Sequence, residues 1–73
     1  MDSYEKLANA IILQAVKDYR MALQILKRCP NNVDALADIR EIEGFFRSRW
    51  YDELTSVDGE MLIQKLNEEV DDL

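Results

Sequence analysis

The sequence contains no histidine and only one cysteine, Cys29. Histidine is the commonest general base and a frequent nitrogen ligand of metals. Its absence therefore argues against a catalytic site with a histidine base and against a metal site with histidine ligands. A single cysteine cannot close an internal disulfide, which excludes a small secreted fold held by disulfides and favours a reducing cytoplasm. Because no base is indicated beside it, Cys29 fits a packing residue at a helix end better than a nucleophile.

Glycine is scarce too, and its two occurrences stand fifteen positions apart, which excludes a glycine-rich phosphate loop. The Asp58-Gly59 pair is typical of calcium loops. Placing Gly59 at the sixth loop position, however, puts Leu54 first and Lys65 last, where carboxylates are required. The densest apolar run, residues 10–13, is far too short to cross a bilayer. We therefore predict no catalytic residue, no cofactor, no metal site and no membrane association, and we do not expect an enzyme.

The chain is short, with 73 residues, of which 48% are hydrophobic and 33% are charged. This composition is typical of a folded globular or helical protein and not of a disordered one. A chain of this length buries only roughly 60% of the surface that its unfolded form exposes. We therefore expect one domain, residues 1–73, with a thin core and with apolar surface left over for association.

Apolar residues recur at steps of three and four over most of the chain, which predicts amphipathic helices. Cys29-Pro30 and the two asparagines after it predict a turn. Ser48 is a candidate cap for a short third helix, and Ser56 or Asp58 is one for the last. The predicted helices cover about residues 3–28, 33–46, 49–54 and 58–70. The sequence thus predicts an all-α fold, a compact bundle of three main helices with a short extra helix before the last one.

Large side chains are concentrated in the segment 45–60, which holds both phenylalanines and the only tryptophan. A structure that failed to bury this segment would leave most of the aromatic surface in water. We expect Phe46 and Trp50 at the centre of the core. The predicted structural core consists of Tyr19, Phe46, Trp50, Leu54, Leu62 and Leu66.

The net charge of −6 is unevenly distributed along the chain. Residues 1–30 carry +2, residues 31–51 carry −1, and residues 52–73 carry −7. This distribution argues against general nucleic-acid binding, because the phosphate backbone favours a basic surface. It is compatible with an acidic surface that binds a basic partner.

The second predicted helix has an acidic row on one face, formed by Asp34, Asp38 and Glu41, and Phe45 continues this row. Phe45 is therefore either covered by the C-terminal segment or available to anchor a partner. The predicted candidate interface consists of Phe45, Asp34, Asp38, Glu41, Asp52 and Glu53.

Two further residues call for a structural explanation. Asp18 lies at the edge of the apolar stripe of the first helix, and a carboxylate near a core is tolerated chiefly when it is paired. We therefore predict an ion pair of Asp18 with Arg47 or Arg49. Gly44 weakens the second helix by about 1 kcal/mol relative to alanine, and we expect it to allow a close helix contact.

Three segments of the chain resemble short uncharacterised proteins encoded in prophages and mobile elements of Firmicutes. The segments read AI-x-x-QAVKDYR-x-AL from Ala10, FFRS-x-W from Phe45 and LT-x-x-DGE-x-L-I from Leu54. The resemblance covers most of the chain and implies a bacterial cytoplasmic setting and an accessory role, without a mechanism. Many of the residues that carry this resemblance are also residues that a junction between helices needs for its core and its caps, and structure alone is sufficient to explain them. In the central region these are Phe45, Phe46, Arg47, Ser48, Trp50, Leu54, Thr55, Asp58 and Gly59.

Three functions are compatible with these features. The first is a helical interaction module that binds a protein partner, possibly a second copy of itself. The second is an anti-defence inhibitor or nucleic-acid mimic, in which the acidic segment 52–73 occupies a basic groove of its target. The third is a nucleic-acid binder that uses the basic face of the first helix, although that face is explained equally well as a solvated surface.

Overall fold

The structure, a computed structural model, describes residues 3–72, and it consists of four α-helices. Residues 1, 2 and 73 of the predicted domain lie outside this range. The helices are α1 (Ser3–Arg28), α2 (Val33–Phe46), α3 (Arg49–Leu54) and α4 (Gly59–Asp71). The prediction of an all-α compact bundle is confirmed. The predicted bounds of the first three helices coincide with the observed ones, whereas α4 begins and ends one residue later than predicted.

α1 is the longest helix, and the other three helices pack against it. Its 26 residues make a rod of about 39 Å, nearly the full 41 Å length of the molecule. The turn at residues 29–32 reverses the chain, so that α2 runs back along α1. Both α2 and α4 then pack on α1, and α3 packs against α1 and α2.

Three of the helix starts are fixed by side-chain caps. The side chain of Asn32 accepts a hydrogen bond from the backbone N–H of Ala35 at 2.9 Å, and Ser48 Oγ accepts one from Tyr51 at 3.1 Å. The carboxylate of Asp58 accepts from the backbone N–H of Glu60 at 2.9 Å. Asp58, rather than Ser56, is therefore the cap of α4.

The core is built from all four helices, and its largest fully buried side chains are Tyr19, Phe46 and Tyr51. Of the predicted core residues, Tyr19, Phe46 and Leu66 are buried, while Leu54 and Leu62 are only partly buried. The core cluster consists of Val16, Tyr19, Ala22, Ile39, Phe46, Tyr51, Ile63 and Leu66.

The prediction for Trp50 is wrong, because its side chain is 55% exposed and Tyr51 takes the core position instead. Adjacent residues of a helix point about 100° apart, so a helix of six residues can direct only one of two neighbouring aromatic rings inward. Tyr51 is wholly buried, with its ring 5.7 Å from that of Phe46.

A polar network at one edge of the core links three helices. The Tyr19 hydroxyl donates to the Glu43 carboxylate at 2.6 Å, and the side-chain amide of Asn67 donates to the Tyr19 oxygen at 3.0 Å. Arg47 in turn forms ion pairs with Glu43 and Glu60. α1, α2 and α4 are thus joined by hydrogen bonds as well as by apolar packing.

Candidate functional site

An open groove of about 500 Å³ lies between α1 and α2 and includes Trp50 of α3. We call it the α1–α2 groove. Apolar side chains form most of its surface, and none of its lining residues belongs to α4. The groove is lined by Ala10, Ile11, Gln14, Ala15, Asp18, Glu41, Ile42, Phe45 and Trp50.

Phe45 and Trp50 form an aromatic wall of the groove. Their ring centroids are 5.4 Å apart in an edge-to-face arrangement. The local sequence explains the contact, since Ser48 Oγ donates to the carbonyl oxygen of Phe45 at 2.6 Å while it caps α3. This short turn folds α3 back against the end of α2 and places the indole beside Phe45.

On α1, three of the five residues that line the groove, Ile11, Gln14 and Asp18, belong to a longer stripe with heptad spacing. The steps along it alternate between four and three residues, the pattern of a seam that packs against another helix. The stripe, which we call the α1 heptad stripe, consists of Leu7, Ile11, Gln14, Asp18, Met21 and Ile25. Leu7, Met21 and Ile25 are 59%, 53% and 43% exposed, so the bundle leaves this seam largely uncovered.

The end of the groove opposite Trp50 is acidic, and it lies near the middle of the α1 heptad stripe. Asp18 and Glu41 line it, and Asp38 lines an adjoining hollow of about 230 Å³ that also contains Asp18, Met21 and Glu41. Gln14 donates to Asp18 at 3.0 Å. None of these three carboxylates forms an ion pair with a residue in the range 3–72.

The predicted ion pair of Asp18 with Arg47 or Arg49 is therefore wrong. Asp18 is exposed, so its charge needs no buried counter-ion. Arg47 is oriented toward Glu43 and Glu60 instead.

The structure divides the predicted interface residues between different surfaces. Phe45 and Glu41 line the groove, Asp38 adjoins it, and Asp34 continues the acidic row toward the start of α2. Asp52 lies in a separate hollow, beside Arg47, Asp58 and Glu60. The backbone carbonyl of Glu53 accepts a hydrogen bond from the Tyr4 hydroxyl at 3.5 Å.

Phe45 itself is half-buried, with ring contacts to Phe46, Trp50 and Tyr51. α3 contributes two of these three rings. The residue is thus held in place by α3 on one side and lines the groove on the other.

The basic face of α1 helps to hold α4. Arg20 pairs with Glu69 at 3.1 Å, and Lys27 Nζ donates to the backbone carbonyls of Val70 at 2.9 Å and Asp71 at 3.3 Å. Two cations of this face therefore have partners within the fold.

Two buried tyrosines have raised pKa values. Burial, together with the hydrogen bond to Glu43, raises the pKa of Tyr19 to about 12. Burial, followed by the negative charges of Asp52 and Asp58, also raises the pKa of Tyr51. Both phenols keep their protons at neutral pH, so neither can act as a base there.

Within residues 3–72, no three or more histidine, cysteine, aspartate or glutamate side chains are grouped in a way that could hold a metal ion. Over the same range, none of the helices is both long enough and apolar enough to span a bilayer.

Neither Trp50 nor the α1 heptad stripe was predicted from the sequence as a surface feature. The stripe had a readable signal, because residues 7, 11, 14, 18, 21 and 25 follow the heptad spacing. It was obscured by the neighbouring core stripe of the same helix. Trp50 had no comparable signal, because six residues are too few to show a helical period.

Comparison with known proteins finds no family model that matches the sequence, and no curated protein or solved structure that is significantly similar to the chain.

Proposed function

We propose that this protein is a non-enzymatic interaction module whose α1–α2 groove docks a segment of another protein. The observation that carries the proposal is the exposure of Trp50 on the wall of an open apolar groove. Tryptophan is enriched among the residues that contribute most to protein interfaces, and exposed apolar surface of this kind marks binding sites.

The uncovered stripe on α1 supports the same proposal. A bundle whose longest helix has a second apolar seam is suited to receive one more helix. Helix-in-groove binding uses anchors at such spacings, and both walls of the groove belong to rigid helices. The acidic end of the groove restricts which partners fit.

We also propose that the protein acts in the cytoplasm of a bacterium, as an accessory protein of a prophage or mobile element. The single cysteine and the resemblance of three sequence segments to prophage proteins support this setting. The alternatives from the sequence have less support. Arg20 and Lys27 of the basic face contact α4, and two carboxylates of the acidic segment, Glu60 and Glu69, are ion-paired within the fold.

The test is affinity capture from a bacterial lysate, with and without nuclease treatment, with three forms of the full chain as bait. These are the wild type, Trp50→Ala in the groove, and Val33→Ala as a matched control. Val33 is 75% exposed at the start of α2 and does not line the groove. Circular dichroism would first verify that all three baits are folded.

We expect a protein that the wild type and Val33→Ala capture and Trp50→Ala does not. The two purified proteins should then bind with one-to-one stoichiometry in calorimetry. Equal capture by Trp50→Ala would contradict the groove as the binding site. Capture that disappears on nuclease treatment would instead support a nucleic-acid function.

A further inference from the structure

The α1–α2 groove has a charge pattern that restricts the chemistry of its occupant. From the proposed docking function, we infer that the occupant is an amphipathic helix of another protein, apolar at both ends and with lysine or arginine in the middle. This inference rests on the proposed function and specifies the partner of the same site.

The dimensions follow from the α1 heptad stripe. From Leu7 to Ile25 the stripe spans nineteen residues, a length of about 27 Å or about five helical turns. Its apolar members lie toward the two ends, with Leu7 and Ile11 on one side and Met21 and Ile25 on the other. An occupant of similar length can place apolar side chains against both ends.

The acidic end of the groove, which lies near the middle of the α1 heptad stripe, favours cations. Asp18 and Glu41 line it and Asp38 adjoins it, and these carboxylates have no cationic partner among residues 3–72. A helix that covered them with apolar side chains would remove water from them without compensation, which is costly. Lysine or arginine extends over apolar surface while its charged end remains near water, so such residues fit both the groove and its carboxylates.

A second copy of this chain fits less well. In a two-fold symmetric pair the same patch faces itself. Because Asp18 lies near the middle of the stripe with Asp38 and Glu41 of α2 beside it, pairing of two stripes about that middle would bring these carboxylates of both copies together. Each chain also carries a net charge of −6, which adds a general repulsion. A basic helix from a different protein avoids both penalties.

The probes are three synthetic amphipathic peptides of about 18 residues, a length set by the helical rise. Their apolar faces are identical, and the positions beside the middle of that face carry lysine, glutamine or glutamate. The peptides contain no tryptophan or tyrosine, so that Trp50, the only tryptophan of the protein, reports docking by its fluorescence. Titrations use the full chain at low and high salt.

Two double variants with equal charge changes distinguish attraction to the carboxylates of the groove from attraction to the net charge of the whole protein. Asp38→Asn with Glu41→Gln neutralises two carboxylates at the groove, and Asp52→Asn with Glu53→Gln neutralises two elsewhere.

We expect the lysine peptide to bind about tenfold more tightly than the glutamine peptide, as two or three exposed charge pairs would provide. The glutamate peptide should bind weakest, and salt should reduce the preference. The groove variant should lose about tenfold in affinity for the lysine peptide, while the control variant should lose less than twofold.

Equal binding of the lysine and glutamine peptides, lost in Trp50→Ala when calorimetry replaces fluorescence as the readout, would overturn the basic partner and leave the groove as a docking site. Equal losses in the two double variants would also overturn it, because the attraction would then be to the overall charge. A dimer seen in sedimentation at micromolar concentration, and disrupted by Trp50→Ala, would overturn it in favour of a second copy. If instead Trp50→Ala retains the captured lysate partner, the proposed function fails independently of the peptide results.

Discussion

The indole of Trp50 packs edge-on against the phenyl ring of Phe45, with the two planes 73° apart. Phe45 is half-buried and also contacts core rings, whereas Trp50 leaves more than half of its side-chain surface in water. The pair therefore joins the core to the surface. Its inner member packs against the core, and its outer member is exposed on the surface of the groove.

Truncation of Trp50 should cost much less stability than truncation of Phe46. Trp50→Ala removes one aromatic contact and partly exposed surface, for which we expect a loss of about 1 kcal/mol in the free energy of unfolding. Phe46 is 1% exposed, and Phe46→Ala should cost about 3–5 kcal/mol, enough to unfold a domain of this size. Urea titrations followed by circular dichroism measure both. Equal losses would show that Trp50 is a core residue after all.

The helix boundaries could be predicted because their causes are local. Pro30 ends one helix, and Asn32, Ser48 and Asp58 each cap another by bonds that span two or three residues. The same does not hold for the orientation of α3. Either Trp50 or Tyr51 could have faced inward, and the choice depends on how α3 packs against α1 and α2.

The two glycines also show that a contact between distant parts of the chain could not be predicted from local sequence. From the sequence, Gly44 in the middle of a helix was the candidate for a close contact, yet a Cβ there would meet nothing within 4 Å. The close contact is at Gly59, where a Cβ would lie 2.1 Å from the carbonyl oxygen of Phe46. That approach joins residues thirteen positions apart and has no local signature.

Alanine at the two glycines should therefore have opposite effects. Gly44→Ala should stabilise the protein by about 1 kcal/mol, because alanine is the better helix former and nothing obstructs its methyl group. Gly59→Ala should destabilise it by about 3 kcal/mol, because the obstructing atoms are backbone atoms of Phe46 that can move only with the end of α2. Thermal and urea unfolding measure both changes. A neutral Gly59→Ala would mean that α2 and α4 can separate at little cost.

The cap of α4 should respond to the chemistry of its side chain. Asp58 accepts hydrogen bonds from the backbone N–H groups of Glu60 and Met61 at 2.9 and 3.4 Å. Asp58→Ala removes both and should cost about 1 kcal/mol in unfolding free energy, whereas Asp58→Asn retains an acceptor oxygen and should cost far less. Urea unfolding at neutral pH separates the two variants. If asparagine were as damaging as alanine, the negative charge near the helix dipole would be the main contribution, not the hydrogen bonds.

Tyr19 should make stability fall in alkaline solution. Burial and the bond to Glu43 raise its pKa to about 12, while a tyrosine in the unfolded chain titrates near pH 10. The folded state therefore holds this proton more tightly, and the resulting stability is complete below about pH 10 and is lost as the pH rises toward 12. Tyr19→Phe lacks this titration, so its unfolding free energy should decline less between pH 9 and about 11.5. At neutral pH its unfolding free energy should be lower than that of the wild type, because Glu43 and Asn67 lose their shared hydrogen-bond partner. Tyr4→Phe is the control, since Tyr4 is 57% exposed, and it should follow the wild type. Parallel pH profiles of Tyr19→Phe and the wild type would show that the phenol is not protected by the fold.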